Sequence, residues 1–453
     1  MKLPQPLLQL ASLFYKNKHN LYVVGGAVRN YLLHLPFEDI DITSDMQIEE
    51  IIAILENTPY IVKIKNAKLQ TAIISYGAFN FEYATFRDEK YLNENSRTPS
   101  SVTFVDNIKT DSFRRDFTCN AVYYDIIRKQ YIDFHNGLND ISLKQLKTIK
   151  EANLTFTEDT VRMLRLIRFS LELNFNIEKN TFNALIDNLP KLKNLNPQSK
   201  QIEFEKILQS NFSYPSLNIK NEKKIFLLKD LDIFPYIFGK QFALNLKNLS
   251  NDAFTLSFNC KNKKDALTFF LIDYYTLYLN KTTLENNQDL LENHNITATN
   301  KTLLTKSRFT KKDFDNMFNN NYFKIEKQYL KELYSLAKAY TFKNIEKNVR
   351  FYIYINNSCI DKICDIFLLN NKTKPIAKTI KQEFEVIKKL NIPLTEKDLN
   401  INGNDISKHF PNLDKKRYSQ ILHNMIYACL FENLKNTKQD LISYIENKII
   451  NHK

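Results

Sequence analysis

The sequence predicts an α+β protein, with a mixed β-sheet in the N-terminal third and helices over most of the remainder. Runs with the apolar or alternating pattern of strands all end by Asp125. Beyond residue 175 the only glycines are Gly239 and Gly403, and no proline lies between Pro235 and Pro375. Because glycine and proline interrupt regular structure, their scarcity favours helices. We therefore expect a first part that contains the sheet and a second part that is helical.

The first part begins with a predicted helix and a strand that ends in two glycines. The helix covers residues 5–16, the apolar strand covers 21–24, and Gly25 and Gly26 then lead into a short helix at 28–33. Glycine permits a positive φ and lets a ligand approach the backbone closely. A Gly-Gly pair between a strand and a helix is therefore suited to phosphate binding.

The next predicted strand carries two carboxylates. Asp39 and Asp41 alternate with Ile40 and Ile42, so a strand would place both aspartates on one face and both isoleucines in the core. Neighbouring carboxylates repel each other, and a divalent cation such as Mg²⁺ is their natural partner. For such a pair alone, an acidic solvent-exposed face is the alternative.

Periodicity also predicts the remaining elements. The polar, aperiodic stretch 88–101, which contains Pro99, is expected to be a loop, and the Asn-rich stretch 285–300 a boundary between helical regions. Further strands are expected at 60–65, 71–76, 80–85 and 121–125, and helices at 47–57, 202–209, 264–279, 311–318, 324–340, 376–390 and 415–431.

Two later stretches carry charged residues in defined patterns. In RRDFTCNA at 114–121, the arginines can bind phosphate through paired N–H groups, and Asp116 can accept a hydrogen bond from a ribose hydroxyl. In the stretch from Phe156, Thr157 is expected to cap a helix in which Asp159 and Arg162 share one face. The alternatives are a charged loop and an ordinary amphipathic helix with an ion pair.

Together these strings resemble the signatures of the DNA polymerase β superfamily of nucleotidyltransferases, in the form used by class II tRNA CCA-adding enzymes and bacterial poly(A) polymerases. The strings are GGAVRN at 25–30, DID at 39–41, RRDFTCNA at 114–121 and EDTVR at 158–162. Asn30 stands where the family usually has Asp. Gln198 and Ser199 stand where the family's neck element has Glu and Arg, whereas Glu203 of that element is retained.

The resemblance implies a polymerase-β-like nucleotidyltransferase head at 1–150, followed by an all-helical neck at 151–215, body at 216–375 and tail at 376–453. It implies catalytic Mg²⁺ ions held by Asp39, Asp41 and Glu82; for Glu82, an edge-strand carboxylate is the alternative. The segment 88–101 would help the site to switch from C to A addition. Nucleotide-binding roles are implied for Gly25, Gly26, Arg29, Arg115, Asp116, Asn120, Asp159, Arg162, Arg165 and Arg168.

The implied partners are the acceptor arm and 3′ end of tRNA, together with CTP and ATP. The net charge of +14, from 64 basic and 50 acidic residues, is compatible with a nucleic-acid partner. The five cysteines lack metal-binding or disulfide spacing, and no apolar run approaches the ~18 residues of a membrane span, so we expect a cytoplasmic protein. The alternatives are a poly(A) polymerase or A-adding enzyme of the same family and, more remotely, a non-catalytic RNA-binding protein. The oligomeric state is left open.

Overall fold

The structure is a computed structural model that describes residues 1–37, 39–91, 99–238, 257–271, 349–369 and 373–450, with single residues at 255, 332, 335, 336, 339 and 345. The chain divides into two compact units, of which the first contains Met1–Phe270 and the second contains Glu326–Lys453. The finer division into head, neck, body and tail stays a prediction.

The first unit is built on a mixed β-sheet, as predicted. Its strands are β1 (Tyr22–Val24), β2 (Ile40–Ser44), β3 (Ile61–Asn66), β4 (Thr71–Tyr76), β5 (Phe79–Thr85), β6 (Arg87–Lys90), β7 (Ser101–Phe104), β8 (Tyr123–Asp125) and β9 (Gln130–Ile132). Seven of them form one sheet in the order β3-β4-β5-β2-β1-β8-β9. Strands β2 and β5 are parallel, and the other neighbouring pairs of this sheet are antiparallel.

Helices make up most of the rest of the first unit. They are α1 (Gln5–Lys16), α2 (Gly26–Leu32), α3 (Ile48–Leu55), α4 (Ile108–Ser112), α5 (Gly137–Ser142), α6 (Ala152–Glu158), α7 (Val161–Leu173), α8 (Lys179–Asn188), α9 (Pro197–Leu208), α10 (Ser210–Ser213), α11 (Asn221–Leu231) and α12 (Phe234–Phe238). Two short strands, Gln145–Leu146 and Asn176–Ile177, pair in parallel. Residues 263–271 are also helical and overlap the first part of the helix predicted at 264–279.

The described part of the second unit is helical, as the sequence predicts. The predicted helix at 376–390 is found at Lys374–Lys389, and that at 415–431 is a 3₁₀ turn at Lys415–Arg417 followed by an α-helix. The helices are Val349–Ile355, Ile360–Leu369, Lys374–Lys389, Gly403–His409, Tyr418–Phe431 and Lys438–Tyr444. The helices expected at 311–318 and 324–340, and the boundary at 285–300, lie outside or almost outside the described residues. Among the described residues, no helix is both long enough and apolar enough to cross a bilayer.

The alternation of β5 gives the main sheet two different faces. Phe81 and Tyr83 are buried, whereas Glu82 between them is exposed. The ring of Phe14, from α1, lies 6.0 Å from that of Tyr83, so α1 covers the buried face. The opposite face, which carries Glu82 and the neighbouring Asp41 of β2, is left for a polar site.

The prediction of a loop over residues 88–101 is wrong at both ends of that segment, which are strands. Strand β6 (Arg87–Lys90) pairs with β7 (Ser101–Phe104) in an antiparallel hairpin, and residues 92–98 lie outside the described part. The pattern was missed because the inward residues of β6 are charged: Arg87 Nε lies 2.7 Å from Glu89 Oε1, and both side chains are largely buried. A buried ion pair therefore replaces the apolar alternation by which strands are recognised.

The helix predicted to start after Thr157 is also placed wrongly. Thr157 lies inside α6, which is capped by Glu151 through hydrogen bonds from Asn153 N and Leu154 N. The next helix, α7, begins only at Val161, after an extended residue at Asp159 with φ −141° and ψ 99°. The cap at Glu151 thus starts α6 upstream of the predicted helix. Asp159 therefore lies at the break between α6 and α7.

Candidate active site

The thirteen residues predicted to act in catalysis or nucleotide binding meet at one cavity of the first unit. This cavity has a volume of about 920 Å³. Its walls come from the sheet, from α2, from the segment before β8 and from α7, α9 and α10. The predicted residues that line it are Gly25, Gly26, Arg29, Asp39, Asp41, Glu82, Arg115, Asp116, Asn120, Asp159, Arg162, Arg165 and Arg168. Their individual roles stay predictions.

The Gly-Gly turn lies directly against one of the carboxylates. Gly25 has φ +77°, in the left-handed region that side chains disfavour. A Cβ atom at Gly25 would lie 3.1 Å from Asp41 Oδ2. The turn therefore needs glycine at this position, both for its backbone conformation and for the space beside Asp41.

Three carboxylates lie near one another on the open face of the sheet. Asp41 of β2 is the direct neighbour of Glu82 of β5 in the parallel ladder, and Asp39 stands exposed just before β2. Burial raises the pKa of the Asp41 carboxyl; the Arg115 guanidinium opposes this, whereas the Glu82 and Asp39 carboxylates raise the pKa further. A divalent cation at this place would relieve the repulsion. An all-oxygen donor set is also the kind that hard cations prefer.

Glu82 is turned towards a lysine that the sequence did not reveal as part of the site. Lys65 Nζ lies 2.8 Å from Glu82 Oε1, and the two side chains are 44% and 53% exposed. Among the described residues, no three His, Cys, Asp or Glu side chains stand close enough together to hold a metal ion. Asp39 and Asp41 both offer carboxylate oxygens to the cavity, and Glu82 would join them after leaving Lys65. Because the pair is exposed, breaking it costs little.

A buried aspartate that the sequence did not single out fixes the two arginines of the second motif. Asp111, fully buried, accepts hydrogen bonds from Arg114 Nε at 2.7 Å and from the Tyr123 hydroxyl at 2.7 Å. Arg115 Nη2 lies 3.4 Å from the same carboxylate, and Arg115 Nε donates to the Tyr123 hydroxyl at 2.9 Å. The only sequence signal for Asp111, which lies on α4, is its spacing of three and four residues from the two arginines that follow that helix. It holds Arg115 at the edge of the cavity, close enough to act on Asp41.

Asp116 is buried and fully engaged by its neighbours. Its Oδ1 accepts hydrogen bonds from Phe117 N at 2.8 Å and Asn120 Nδ2 at 3.0 Å, and its Oδ2 accepts one from Arg165 Nε at 2.8 Å. Burial opposes ionisation, but the Arg165 guanidinium and the Asn120 amide outweigh it and lower the pKa of Asp116 to about 2. Asp116 is therefore an anion over the whole working range of pH. It also ties the second motif to α7.

Arg29 is a buried cation whose hydrogen-bond partners are all neutral. Its Nη1 donates to Asn120 Oδ1 at 2.6 Å, its Nη2 donates to Asn30 Oδ1 at 2.9 Å, and the Tyr214 hydroxyl lies 3.4 Å away. The guanidinium lies 5.0 Å from the ring of Phe169. Among the described residues, no carboxylate forms an ion pair with it. Its charge is therefore available to an anion in the cavity.

Asn30 uses the amide group that distinguishes it from the usual aspartate. Its Nδ2 donates to the main-chain oxygen of Pro36 at 3.0 Å and to the Tyr214 hydroxyl at 2.9 Å. A carboxylate at this position could donate neither bond. The departure from the family pattern thus fits its surroundings, and among the described residues Arg29 forms no ion pair with a carboxylate.

Asn30→Asp is expected to weaken nucleotide binding, although it restores the usual residue. The new carboxylate would neutralise Arg29 and would face the Pro36 oxygen without a proton to donate. We expect the Kd for CTP, measured by calorimetry without RNA, to rise several-fold. Asn180→Asp, an exposed change of the same charge outside the cavity, is the control and should leave the Kd unchanged. Equal or tighter CTP binding by the Asn30 variant would show that Arg29 does not need its free charge.

Asp159 and Arg162 come together despite the break between their helices. Arg162 Nε lies 4.0 Å from Asp159 Oδ2, and Arg162 Nη2 donates to the main-chain oxygen of Arg114 at 2.8 Å. Arg162 Nη1 lies 3.6 Å from a Glu158 oxygen, and in the described part of the chain this buried atom has no hydrogen-bond partner. Asp159 and Arg162 both line the cavity, and the buried Nη1 of Arg162 has no hydrogen-bond partner among the described residues.

The next two arginines of α7 pack around one aromatic ring. The guanidinium groups of Arg165 and Arg168 lie 5.2 Å and 4.3 Å from the centre of the Phe169 ring. Arg168 Nε lies 2.8 Å from Glu203 Oε2 of α9, and Arg168 Nη1 lies 3.1 Å from Glu172 Oε2. The retained glutamate of the neck element thus holds α9 to α7.

Comparisons with known proteins agree with this arrangement. Residues 21–147 match the family model of the poly(A) polymerase head domain. The CCA-adding enzyme of Streptococcus mutans serotype c is 37% identical over 197 residues, which are 44% of this chain and 48% of that protein. The chain thus spans about half the length of that relative. The CCA-adding enzyme of Staphylococcus haemolyticus is 28% identical over 437 residues, or 94% of each chain.

The fold is also found among solved structures. The Bacillus stearothermophilus CCA-adding enzyme in complex with CTP superposes with a TM-score of 0.70 at 20% identity, over 98% of each chain. At this identity the likeness establishes the fold, and it extends over the helical region as well as the sheet. Residues 21–147 therefore match the poly(A) polymerase head domain, and the chain as a whole is similar in sequence to CCA-adding enzymes.

Proposed function

We propose that this protein adds or repairs the 3′-terminal CCA of tRNA from CTP and ATP, with release of pyrophosphate. The proposal rests on one observation. The three carboxylates, the Asp159–Arg162 pair and Arg29, which forms no ion pair among the described residues, all line one cavity. The sequence relatives named above are CCA-adding enzymes, and the net charge of +14 suits an RNA substrate. Because the reaction requires tRNA and nucleoside triphosphates, we also propose that the protein acts in the cytoplasm, as expected from the sequence.

The carboxylates would supply the metal site. Nucleotidyltransferases of this family use divalent metal ions, and we propose Mg²⁺ because the donors are all carboxylate oxygens. Asp39 and Asp41, with Glu82 once it leaves Lys65, would hold the ions, which would activate the RNA 3′ hydroxyl and neutralise the leaving pyrophosphate. The backbone of the Gly25-Gly26 turn leaves room for phosphate beside Asp41.

The cations and the neck residues would hold the nucleotide. Arg29 lacks an anionic partner among the described residues, and together with Arg115 it would bind the triphosphate. Asp116, ionised and directed by Arg165, would accept a hydrogen bond from the ribose. Asp159 would accept from the exocyclic amino group of cytosine or adenine, and Arg162 would donate to the neighbouring ring nitrogen.

The nucleotide requirement of the reaction tests this proposal. Transcripts of tRNA that end before the CCA, after one C or after two Cs would be given CTP, ATP or both. We expect CTP alone to restore the Cs and stop, and ATP alone to add one A only to the transcript with both Cs. Long A tails would favour the poly(A) polymerase alternative. A chain that binds tRNA but adds no nucleotide would be the non-catalytic alternative.

Shortening the segment between β6 and β7 tests its expected part in the switch from C to A. Deletions would be confined to residues 92–98, so that Arg87–Lys90 and Ser101–Phe104 can still pair. We expect C addition to be spared and A addition to fall, because the larger base requires a greater rearrangement of the site. A hairpin change outside this segment, Thr103→Ser, is the control. If C addition and A addition fell equally, the segment 92–98 would have no specific part in the switch from C to A.

A further inference from the structure

A second, smaller cavity of the first unit is lined, among the described residues, by no acidic side chain. Its volume is about 280 Å³, and its walls include Ser210, Asn211, Lys220, Asn221 and Lys224. Tyr214 lines this cavity and the active-site cavity alike, and the Tyr214 hydroxyl contacts Asn30 at 2.9 Å. The small cavity therefore adjoins the nucleotide site through one side chain.

The floor of the small cavity is a buried ammonium group. Lys224, on α11, is fully buried, and its Nζ donates to Ser210 Oγ at 2.9 Å and to Asn211 Oδ1 at 2.6 Å. Both partners are neutral, and within the described ranges no carboxylate pairs with Lys224. Burying an ammonium without a counter-charge is unfavourable. Burial accordingly lowers the pKa of Lys224 to about 8, with Glu172 opposing the shift.

Lys200 is a second buried lysine, and its contacts indicate a structural role. It is also fully buried, and burial lowers its pKa to about 8. Its Nζ donates to the main-chain oxygens of Lys193 at 2.9 Å and Tyr236 at 3.2 Å, and it lines neither cavity. Lys200 thus ties main-chain segments together, whereas Lys224 bonds to two side chains, lies with its Nζ 5.5 Å from the centre of the Phe258 ring, and lines the small cavity.

Amide and ammonium groups surround the rest of the small cavity. Asn211 Nδ2 donates to Asn221 Oδ1 at 2.9 Å, and Asn221 Nδ2 donates to Asn259 Oδ1 at 3.2 Å. This chain of amides fixes the side chains of the wall, and the exposed Lys220 adds a second positive charge near the mouth. Positive charge at floor and mouth, with polar walls and no carboxylate among the described lining residues, suits an anion.

We propose that the small cavity binds a phosphate group, with Lys224 as the cation at its floor. A phosphate there would supply the counter-charge that the described residues do not provide and would accept a hydrogen bond from Lys224 Nζ. Two sources share this chemistry: a backbone phosphate of the RNA strand, and the phosphates of a free nucleotide or pyrophosphate. The assignment to RNA rests on the proposed function, whereas phosphate binding as such does not.

The test compares Lys224→Gln with Lys200→Gln in the full-length protein. The Kd for tRNA lacking its CCA end is measured at several salt concentrations without divalent metal, and the Kd for pyrophosphate is measured in parallel. Loss of one backbone phosphate contact should weaken tRNA binding several-fold and lower the slope of log Kd against log salt by about 0.7 to 0.9. Lys200→Gln should keep the wild-type slope. Lys220→Gln, an exposed change in the same cavity, provides a second variant that should fold and should show a smaller change in the same direction.

Each outcome decides a different point. A reduced salt slope for tRNA with unchanged pyrophosphate binding supports the RNA backbone as the source. Weakened pyrophosphate binding with an unchanged tRNA slope supports a phosphate site for the free species. Folded Lys224 and Lys220 variants that keep both wild-type affinities overturn the phosphate site. Failure of the wild-type protein to add C or A would instead reject the proposed function and leave these binding results intact.

Discussion

Asp41→Ala is expected to abolish nucleotide addition while leaving tRNA binding almost unchanged. Asp41 lies beside the bare Gly25 turn and next to Glu82, where a cation would act on the reacting oxygens. The RNA would be gripped elsewhere. We expect the single-turnover rate of C addition in Mg²⁺ to fall on the order of 10³-fold or more, with the tRNA Kd within twofold of the wild-type value, as expected when binding lies elsewhere. Asp39→Ala should behave in the same way.

Asp45→Asn is the matched control for these variants. Asp45 directly follows the same strand, but it pairs with His19 at 2.9 Å and does not line the cavity. Its replacement should leave the rate of C addition close to that of the wild type. Full turnover by the Asp41 variant in Mg²⁺ would reject the metal assignment. The Glu82→Gln variant is expected to lose much of the rate of C addition. If that variant kept the wild-type rate, only Glu82 would have to be dropped from the proposed metal ligands.

Asp159→Ala is expected to reduce the selection of CTP and ATP over UTP and GTP by on the order of 10²-fold. Cytosine and adenine offer an amino donor beside a ring-nitrogen acceptor, which complements a carboxylate beside a guanidinium. Uracil and guanine would place a carbonyl against the carboxylate and an N–H against the guanidinium. Ratios of kcat/KM for the four nucleotides measure this selection, and the dependence on metal concentration should stay unchanged.

The exposed Asp187 of α8 provides the control for that experiment, because its replacement by Asn removes a carboxylate outside the cavity. The Asp187 variant should select nucleotides as the wild type does. If the Asp159 variant kept full discrimination, base choice would have to reside elsewhere. Arg162 Nη1, which has no hydrogen-bond partner among the described residues and lies 3.6 Å from Glu158, would then have a purely structural explanation.

The parts of the fold that local pattern determines could be predicted. Alternation placed Asp41 and Glu82 on the open face of the sheet, and the Gly-Gly pair marked the turn between β1 and α2. The hairpin of β6 and β7 was missed because Arg87 and Glu89 form a buried ion pair where a strand normally has apolar side chains. The start of α7 was misplaced because Glu151 caps an earlier helix.

The supporting residues of the site depend on contacts between distant segments. The Tyr214 hydroxyl meets Asn30 across 184 residues of sequence, and Lys65 meets Glu82 across a sheet register that local patterns do not specify. Asp111 had only its helical spacing to Arg114 and Arg115 as a signal. A single sequence therefore identifies the groups that carry the chemistry better than the groups that orient them.

The most direct test of the account is to sequence the product when all four nucleoside triphosphates are present at equal concentration. A tRNA that lacks its 3′-terminal CCA is incubated with the wild-type protein and Mg²⁺, and the added nucleotides are read from individual molecules. The account predicts C, C and A in that order, followed by a stop, with U and G rare. Products that carry long A tails, or U and G as often as C and A, would contradict it.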